Sequence, residues 1–580
     1  MDTKRFLLAI GLTLLVLWLY QAWLEYQYPG YSQGDQVAEQ QAGQQAGSGA
    51  DGTSAKAPAP APSSGGGGTP AAGTSGQAGV PEVNRPAPAE SDGQATPEPQ
   101  GEGKAAVDER GLTVTTDVLR VAFGARSGDP LEARLLRYRK KDRADSAPVA
   151  VLQPGERRLV VAQSGWLAQG LPSPSHQARF RTDAQGPLTL NRGQDRISVT
   201  YTHRADGLEF RKTYHFRRGS YEVRVDYTVV NHGDRPWQGH LYGQLKERGS
   251  KSGGNFVLSR FSYDGPVVFT GDSMQTLAHD DLKEEGAEGF QKADAKGWGG
   301  IMSRYFMAAW VPDAEQGNTI FARAAGPSSF AGFYSPFPAV APGQQASVTQ
   351  TLFLGPKDQA VLDGAGRHLR RAVDYGILSF LAIPLFEVLQ FFHSVVGNYG
   401  FAIILVTLTI KLIFFPLFSI SYRAMAKMRK VQPELKRLRE QFGDDRQKLN
   451  EEMMRLYREE KVNPLGGCLP IVVQIPVFIS LYWVLLESVE LRHEPFLLWI
   501  TDLTSQDPFY VLPILMGASM VVQQLMNPAP MDPIQKKVMM GLPVVFTLFF
   551  MQFPAGLVLY WVSNNLFSIG QQWWIMRKVG

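Results

Sequence analysis

The sequence has a single cysteine, Cys468, in 580 residues. That excludes a disulfide framework and any multi-cysteine zinc or iron–sulfur site. Its nine histidines are scattered, mostly through a strand-rich middle region where structural roles are expected. There is no HExxH, no Walker A loop and no GxSxG elbow. The chain therefore reads as no enzyme, with no cofactor and no metal. Net charge is nearly absent as well: 58 Lys and Arg against 54 Asp and Glu leave +4. A dedicated nucleic-acid binder would carry a larger basic excess. Mean hydropathy is −0.15, the value of a soluble protein. Local absences make that average misleading.

Phe6–Leu24 lacks any charged residue over 19 positions. At ~1.5 Å per residue it can cross a ~30 Å hydrocarbon core. Lys4 and Arg5 precede it, bulky Glu25-Tyr26-Gln27-Tyr28 follows, and no cysteine is near. An uncleaved anchor with a cytoplasmic N-terminus is expected over residues 1–29. Residues 30–107 lack Leu, Ile, Phe, Met and Trp but hold 16 Gly and 9 Pro. Nothing there can build a core, so a disordered tether is expected.

From about 108 to 360 the apolar period becomes two. Tyr221, Val223, Val225, Tyr227 and Val229 alternate with Glu222, Arg224, Asp226 and Thr228. Ile197, Val199 and Tyr201 alternate with Ser198, Thr200 and Thr202. Asn231-His232-Gly233-Asp234 and Tyr263-Asp264-Gly265-Pro266 supply turns. These are antiparallel strands of a large sandwich or barrel outside the cytoplasmic membrane.

Residues 361–398 read as a linker and an apolar helix, Asp374–Val396, interrupted by Pro384, Glu387 and His393 and lying at the interface. Residues 399–580 hold five further spans, about 400–418, 469–486, 510–526, 538–553 and 555–573. With the first segment the expected bundle has six transmembrane helices. Loop charge orients it. Residues 421–463 carry 12 Lys and Arg, Lys536 and Lys537 precede the fifth span, and Arg577 and Lys578 follow the last. The loop 487–509 holds five acidic residues and only Arg492. Both termini should be cytoplasmic and the strand domain periplasmic. In 421–463, Leu435, Leu438 and Phe442, then Leu449, Met453 and Leu456, recur at helical spacing around Gly443-Asp444-Asp445. A charged cytoplasmic helical hairpin is expected, either a solvated connector or a docking surface.

Lys411 is the only Lys, Arg, Asp, Glu or His in the six spans. Such a lysine costs about 2.5–3.5 kcal/mol on insertion scales. No intramembrane carboxylate is available, so its charge is expected to snorkel, to be hydrated, or to meet something outside this chain. Thr407 lies one turn away. Gln474, Ser480, Gln523, Gln524, Gln552, Ser563 and Asn564 add neutral polarity, either as interhelical partners or as a wet cavity. A coupled transporter would carry Asp, Glu or His within the membrane, and no inverted repeat is visible, so a channel or transporter is disfavoured.

Several stretches resemble the YidC/Oxa/Alb insertase family. They include Val396-Gly397-Asn398-Tyr399-Gly400-Phe401, Met425-Ala426-Lys427-Met428-Arg429, Lys461-Val462-Asn463-Pro464-Leu465-Gly466-Gly467-Cys468, Asp507-Pro508, and Phe553 through Trp561. The anchor, tether and strand domain resemble the family's Gram-negative form. The resemblance implies a periplasmic antiparallel β-supersandwich, a location in the inner membrane, and a positively charged hydrophilic groove open to cytoplasm and lipid. Lys411 stands where the family usually has Arg, which keeps the charge and loses the planar fork. Thr407 and Gln474 match groove positions; Gln523, Gln552 and Asn564 are expected to join them. Tyr560 and Trp561 match substrate-contacting aromatics. Met425, Lys427, Arg429, Leu435, Leu449 and Met453 fall in the hairpin that receives substrate. The implied partners are nascent membrane proteins, the lipid bilayer, and the Sec translocon with its accessory subunits. Ribosome contact is expected to be weak without a long basic C-terminal tail. A chaperone for already inserted proteins is the alternative function.

Overall fold

The computed structural model describes residues 110–143, 145–249, 263–286, 289–366, 368–373, 375–443, 445–460, 469–527 and 533–579. The expected anchor, the tether and the run Lys461–Cys468 lie outside them.

Among the described residues the strands form two sheets. One runs Met274–Thr276, Gly265–Phe269, Trp298–Met302, Phe306–Val311, Gln345–Pro356, Glu222–Asn231, Leu208–Arg217, Arg196–Ala205. The other has ten strands, with Ser328–Val340, Trp237–Gly249 and Arg158–Leu167 adjacent at its centre. The two-residue period explains the packing. Val223, Val225, Tyr227 and Val229 are fully buried, while Arg224 between them is exposed. Trp166 packs on Phe180, Phe210 and Tyr227 in the core between the sheets. One pairing departs from the antiparallel expectation: Leu188–Thr189 lies parallel to Arg110–Thr115. A two-residue edge strand returning after a long connection is free to pair in either direction.

This core contains a buried charge. Lys212 Nζ donates to Asp129 Oδ1 at 2.7 Å and to the Ser164 carbonyl at 2.9 Å. Ser164 Oγ and Tyr214 OH also donate to Asp129. Every polar atom in the cluster has a partner, the condition for burying an ion pair.

The helical region comprises α1 (Ser379–Val396), α2 (Tyr399–Ile413), α3 (Phe415–Phe442), α4 (Arg446–Glu459), α5 (Leu469–Glu487), α6 (Val511–Met526), α7 (Pro533–Phe550) and α8 (Ala555–Val579). Gly397 ends α1 at φ +65°, and the Asn398 side chain then caps α2 by accepting from the Phe401 N–H. The expected span 400–418 is corrected: the helix breaks at Phe414, and α2 and α3 meet at 69°. Pro416 is the cause, since it cannot donate to the carbonyl one turn back and its ring crowds that turn. The helix after the break, α3, correspondingly begins at Phe415. Val431 and Leu435 of α3 pack with Met453 and Leu456 of α4.

Among the described residues, α1 is the one unbroken helix that meets length and apolarity limits for crossing a membrane; α2 with α3 passes as a bent pair. The apolar parts of α5, α6 and α7 are 10–17 residues long. α1 buries Ala382, Phe386 and Leu389 in the bundle and exposes Phe380 and Phe391.

The loop after α5 joins the helices to the strand domain. Lys357 and Glu487 form a buried pair at 3.0 Å. The Gln359 N–H donates to Glu490, and Arg492 donates to the carbonyls of Arg139 and Lys140. Val489 packs into the strand-domain core. Further along this loop, the Ser505 and Leu503 carbonyls accept from the first two N–H groups of α8. The loop thus covers one end of the bundle. The main apolar core, including Ile403, Val406, Leu485, Leu503, Met516 and Val558, gathers towards that end.

Candidate functional site

Away from that core the helices do not close. A cavity of about 380 Å³ lies between α3, α5, α6, α7 and α8. One part of its wall is apolar: Phe418, Ile475, Phe478, Met520, Leu542 and Trp561. The other part is neutral and polar: Gln474, Gln523, Gln524, Asn527, Asn564, Asn565 and Ser568. Among the described residues lining it, none is charged.

Helical spacing brings these groups together. Asn564, Asn565 and Ser568 lie within about one turn of α8, and Tyr560 stands one turn earlier. Gln474 Nε2 donates to Asn564 Oδ1 at 2.7 Å across the α5–α8 contact. Asn565 Nδ2 donates to Ser519 Oγ of α6 at 2.9 Å. Phe478 stacks on Tyr560 at 6.1 Å and meets the Trp561 ring edge-on at 4.6 Å. On α6, Gly517 allows α7 to approach: a Cβ there would sit 2.0 Å from Thr547 Oγ1.

Lys411 lies just behind this wall and is 5% exposed. Its Nζ donates to Ser568 Oγ at 2.8 Å and sits 4.3 Å from the centre of the Phe418 ring. Ser568 Oγ in turn donates to the Asn564 carbonyl. The amine is thus held inward by a hydroxyl and an aromatic face rather than extended to an interface. Thr407, also buried, donates to the Ile403 carbonyl of its own helix and does not line the cavity.

Of the residues singled out in the sequence, Gln474, Gln523, Gln524, Asn564, Tyr560, Trp561 and Met425 share this cavity. Gln552 does not. It is exposed in the turn between α7 and α8, where its carbonyl accepts from Gln506, at the end covered by the loop. Lys427 and Arg429 are exposed on α3. Leu435 and Met453 meet across the α3–α4 contact, and Leu449 of α4 is half-buried. Sequence reasoning missed Ser568, Asn565, Phe418 and Tyr422. Ser568 was readable as one turn past Asn564; Phe418 and Tyr422 were hidden because the break at Phe414 assigns them to a different helix.

The family models and the sequence relatives agree on one family. The family described as 60Kd inner membrane protein matches residues 391–580, and that described as YidC periplasmic domain matches residues 111–388. The chain is 44% identical over 516 residues to the membrane protein insertase YidC of Thioalkalivibrio sulfidiphilus, covering 86% of this chain and 91% of the relative. It is 44% identical over 479 residues to that of Pseudomonas fluorescens SBW25, covering 81% and 84%. A solved active YidC insertase with its first transmembrane domain resolved aligns over 79% of this chain and 91% of that one, at 16% identity and a TM-score of 0.35.

Proposed function

The chain belongs to the YidC family of membrane protein insertases, and we propose that its helical cavity is the groove through which it inserts nascent membrane proteins. It is no enzyme in this reading. A nascent segment enters from the cytoplasm, and its short hydrophilic flank rests among Gln474, Gln523 and Asn564. Lys411 adds positive potential through Ser568 and draws acidic flanks. The apolar segment meets Tyr560 and Trp561 and passes into lipid. Burial of its apolar surface, at about 25 cal/mol per Å², drives the step without nucleotide.

One observation carries this reading: a cavity lined by both carboxamide and aromatic side chains, inside a helical region with apolar outer faces. A flank and its apolar neighbour each find a matching surface there. The reading extends to topology. Six spans hold both termini in the cytoplasm, α1 lies along the interface, α3 and α4 form a cytoplasmic receiving hairpin, and the strand domain stands in the periplasm of a Gram-negative cell. Docking of the acidic loop on the strand domain supports having both on one side. The Sec translocon with its accessory subunits is a partner in this reading.

The test is photocrosslinking from Gln523 and Tyr560 to a stalled single-span substrate. Crosslinks to the flank and apolar segment are expected. Crosslinks to lipid alone would overturn the groove. Vesicles holding this chain as their only protein separate insertion from assistance: substrate that stays outside until another insertase is added would make the chain an assembly chaperone.

A further inference from the structure

The polar part of the cavity is built almost entirely of carboxamides. Each Asn or Gln side chain presents two N–H donors and one carbonyl acceptor, the same groups as a peptide bond. Gln474 donates one hydrogen bond to Asn564, while the half-buried Gln523 and Gln524 have no side-chain partner among the described residues. Lys411 is held behind Ser568 and Phe418, so the surface that meets an occupant is neutral.

A flank too short to form a helix closes almost no i to i−4 bonds, so its N–H and C=O groups arrive unpaired. Among the half-buried Gln474, Asn564, Gln523 and Gln524 an unpaired group loses part of its water, and a neutral carboxamide is the side chain that pairs with either kind.

We propose that the cavity recognises the unpaired peptide backbone of the substrate flank, through exchange of hydrogen bonds with Gln474, Asn564, Gln523 and Gln524. This rests on the groove reading above and names its ligand as backbone amides, whatever side chains they carry. On entry the Gln474–Asn564 bond opens, and each amide turns from its partner to the chain. On exit the two rejoin, which restores their hydrogen bond in the empty cavity. Lys411 then biases acidic flanks without being the main contact.

N-methylation tests this with opposite signs. A synthetic single-span peptide carries a short flank either of glycine or of N-methylglycine, which keeps the carbonyl and lacks the N–H. Both are added to vesicles holding the full chain and to protein-free vesicles, and insertion is read by protease protection. Lipid alone favours the methylated flank, because it has fewer donors to desolvate. With the chain present, the glycine flank is expected to insert about fivefold faster, the value of about one net hydrogen bond. Gln523→Leu, and separately the paired change Gln474→Leu with Asn564→Leu, should bring the two flanks to within about twofold of each other, for the same reason. The paired change removes both partners together, so it leaves no orphaned amide. If a variant does not fold, the comparison of flanks on the unaltered chain decides alone. Equal rates, or a faster methylated flank, with flank crosslinks at Tyr560 intact, would overturn backbone recognition and leave the groove standing. Loss of those crosslinks as well would remove both.

Discussion

The molecule buries two lysines in opposite ways. Lys212, in the strand domain, is fully enclosed and meets a carboxylate, a carbonyl and the Phe180 ring. Lys411, in the helices, meets one hydroxyl and the Phe418 ring, and no carboxylate forms an ion pair with it among the described residues. The first arrangement completes its own electrostatics and has nothing left to offer a ligand. The second leaves a charge uncompensated beside a cavity. A protein needing only a rigid core would build the first; a site that draws a transient anionic group is served by the second.

The largest effect should come from unbalancing the complete cluster. Asp129→Ala strands Lys212 in the core and should destabilise the strand domain by about 3–5 kcal/mol. Thermal unfolding of the purified chain would show it, and Asp129→Leu with Lys212→Met should recover most of the loss. Lys411→Met should do the reverse: thermal stability unchanged within about 1 kcal/mol, because no partner charge is orphaned. Insertion of substrates with acidic flanks should fall about tenfold, a loss of about 1.4 kcal/mol, with neutral flanks much less affected. A Lys411→Met chain as unstable as Asp129→Ala would erase the contrast between the two lysines.

Ser568→Ala is a finer probe. It removes the Lys411 acceptor and should cost about 1 kcal/mol in thermal unfolding, while the freed amine becomes more reactive to an amine-selective label.

The smallest effect concerns the loop that joins the two regions. Burial raises the Glu490 carboxyl from its ordinary 4.5 to about 7. The docked loop therefore keeps a proton that the free loop has already lost. Docking should be firmest below about pH 4.5 and should weaken as pH rises through about 7. Hydrogen exchange of 487–494 at pH 5 and pH 8, corrected for intrinsic rates, should show faster opening at the higher pH. Glu490→Gln should remove the difference.

The two regions were also unequally legible. Alternation at Val223, Val225, Tyr227 and Val229 marks a strand because a pleated backbone sends successive side chains to opposite faces. The short parallel strand Leu188–Thr189 carries no such pattern. In the helices, Gln474 and Asn564 stand out by polarity within spans, whereas Tyr560 and Trp561 are marked only by the family resemblance. The bend at Phe414 could not, although Pro416 was visible, because whether a proline kinks or ends a helix depends on what packs around it. That bend decides which side chains wall the cavity, and Phe418 beside Lys411 follows from it.

Past the bend, α3 runs for 28 residues, about 42 Å, with Pro433 inside it. The same rod carries Phe418, Tyr422 and Met425 on the cavity and Leu435 in the contact with α4. It is a lever with very unequal arms. A tilt of about 10° at Phe414 sweeps the far tip through about 7 Å and shifts Phe418 by only about 1 Å, on a rise of ~1.5 Å per residue. A displacement of the far tip is thereby scaled down about sevenfold at the Phe418 ring, which covers the Lys411 amine.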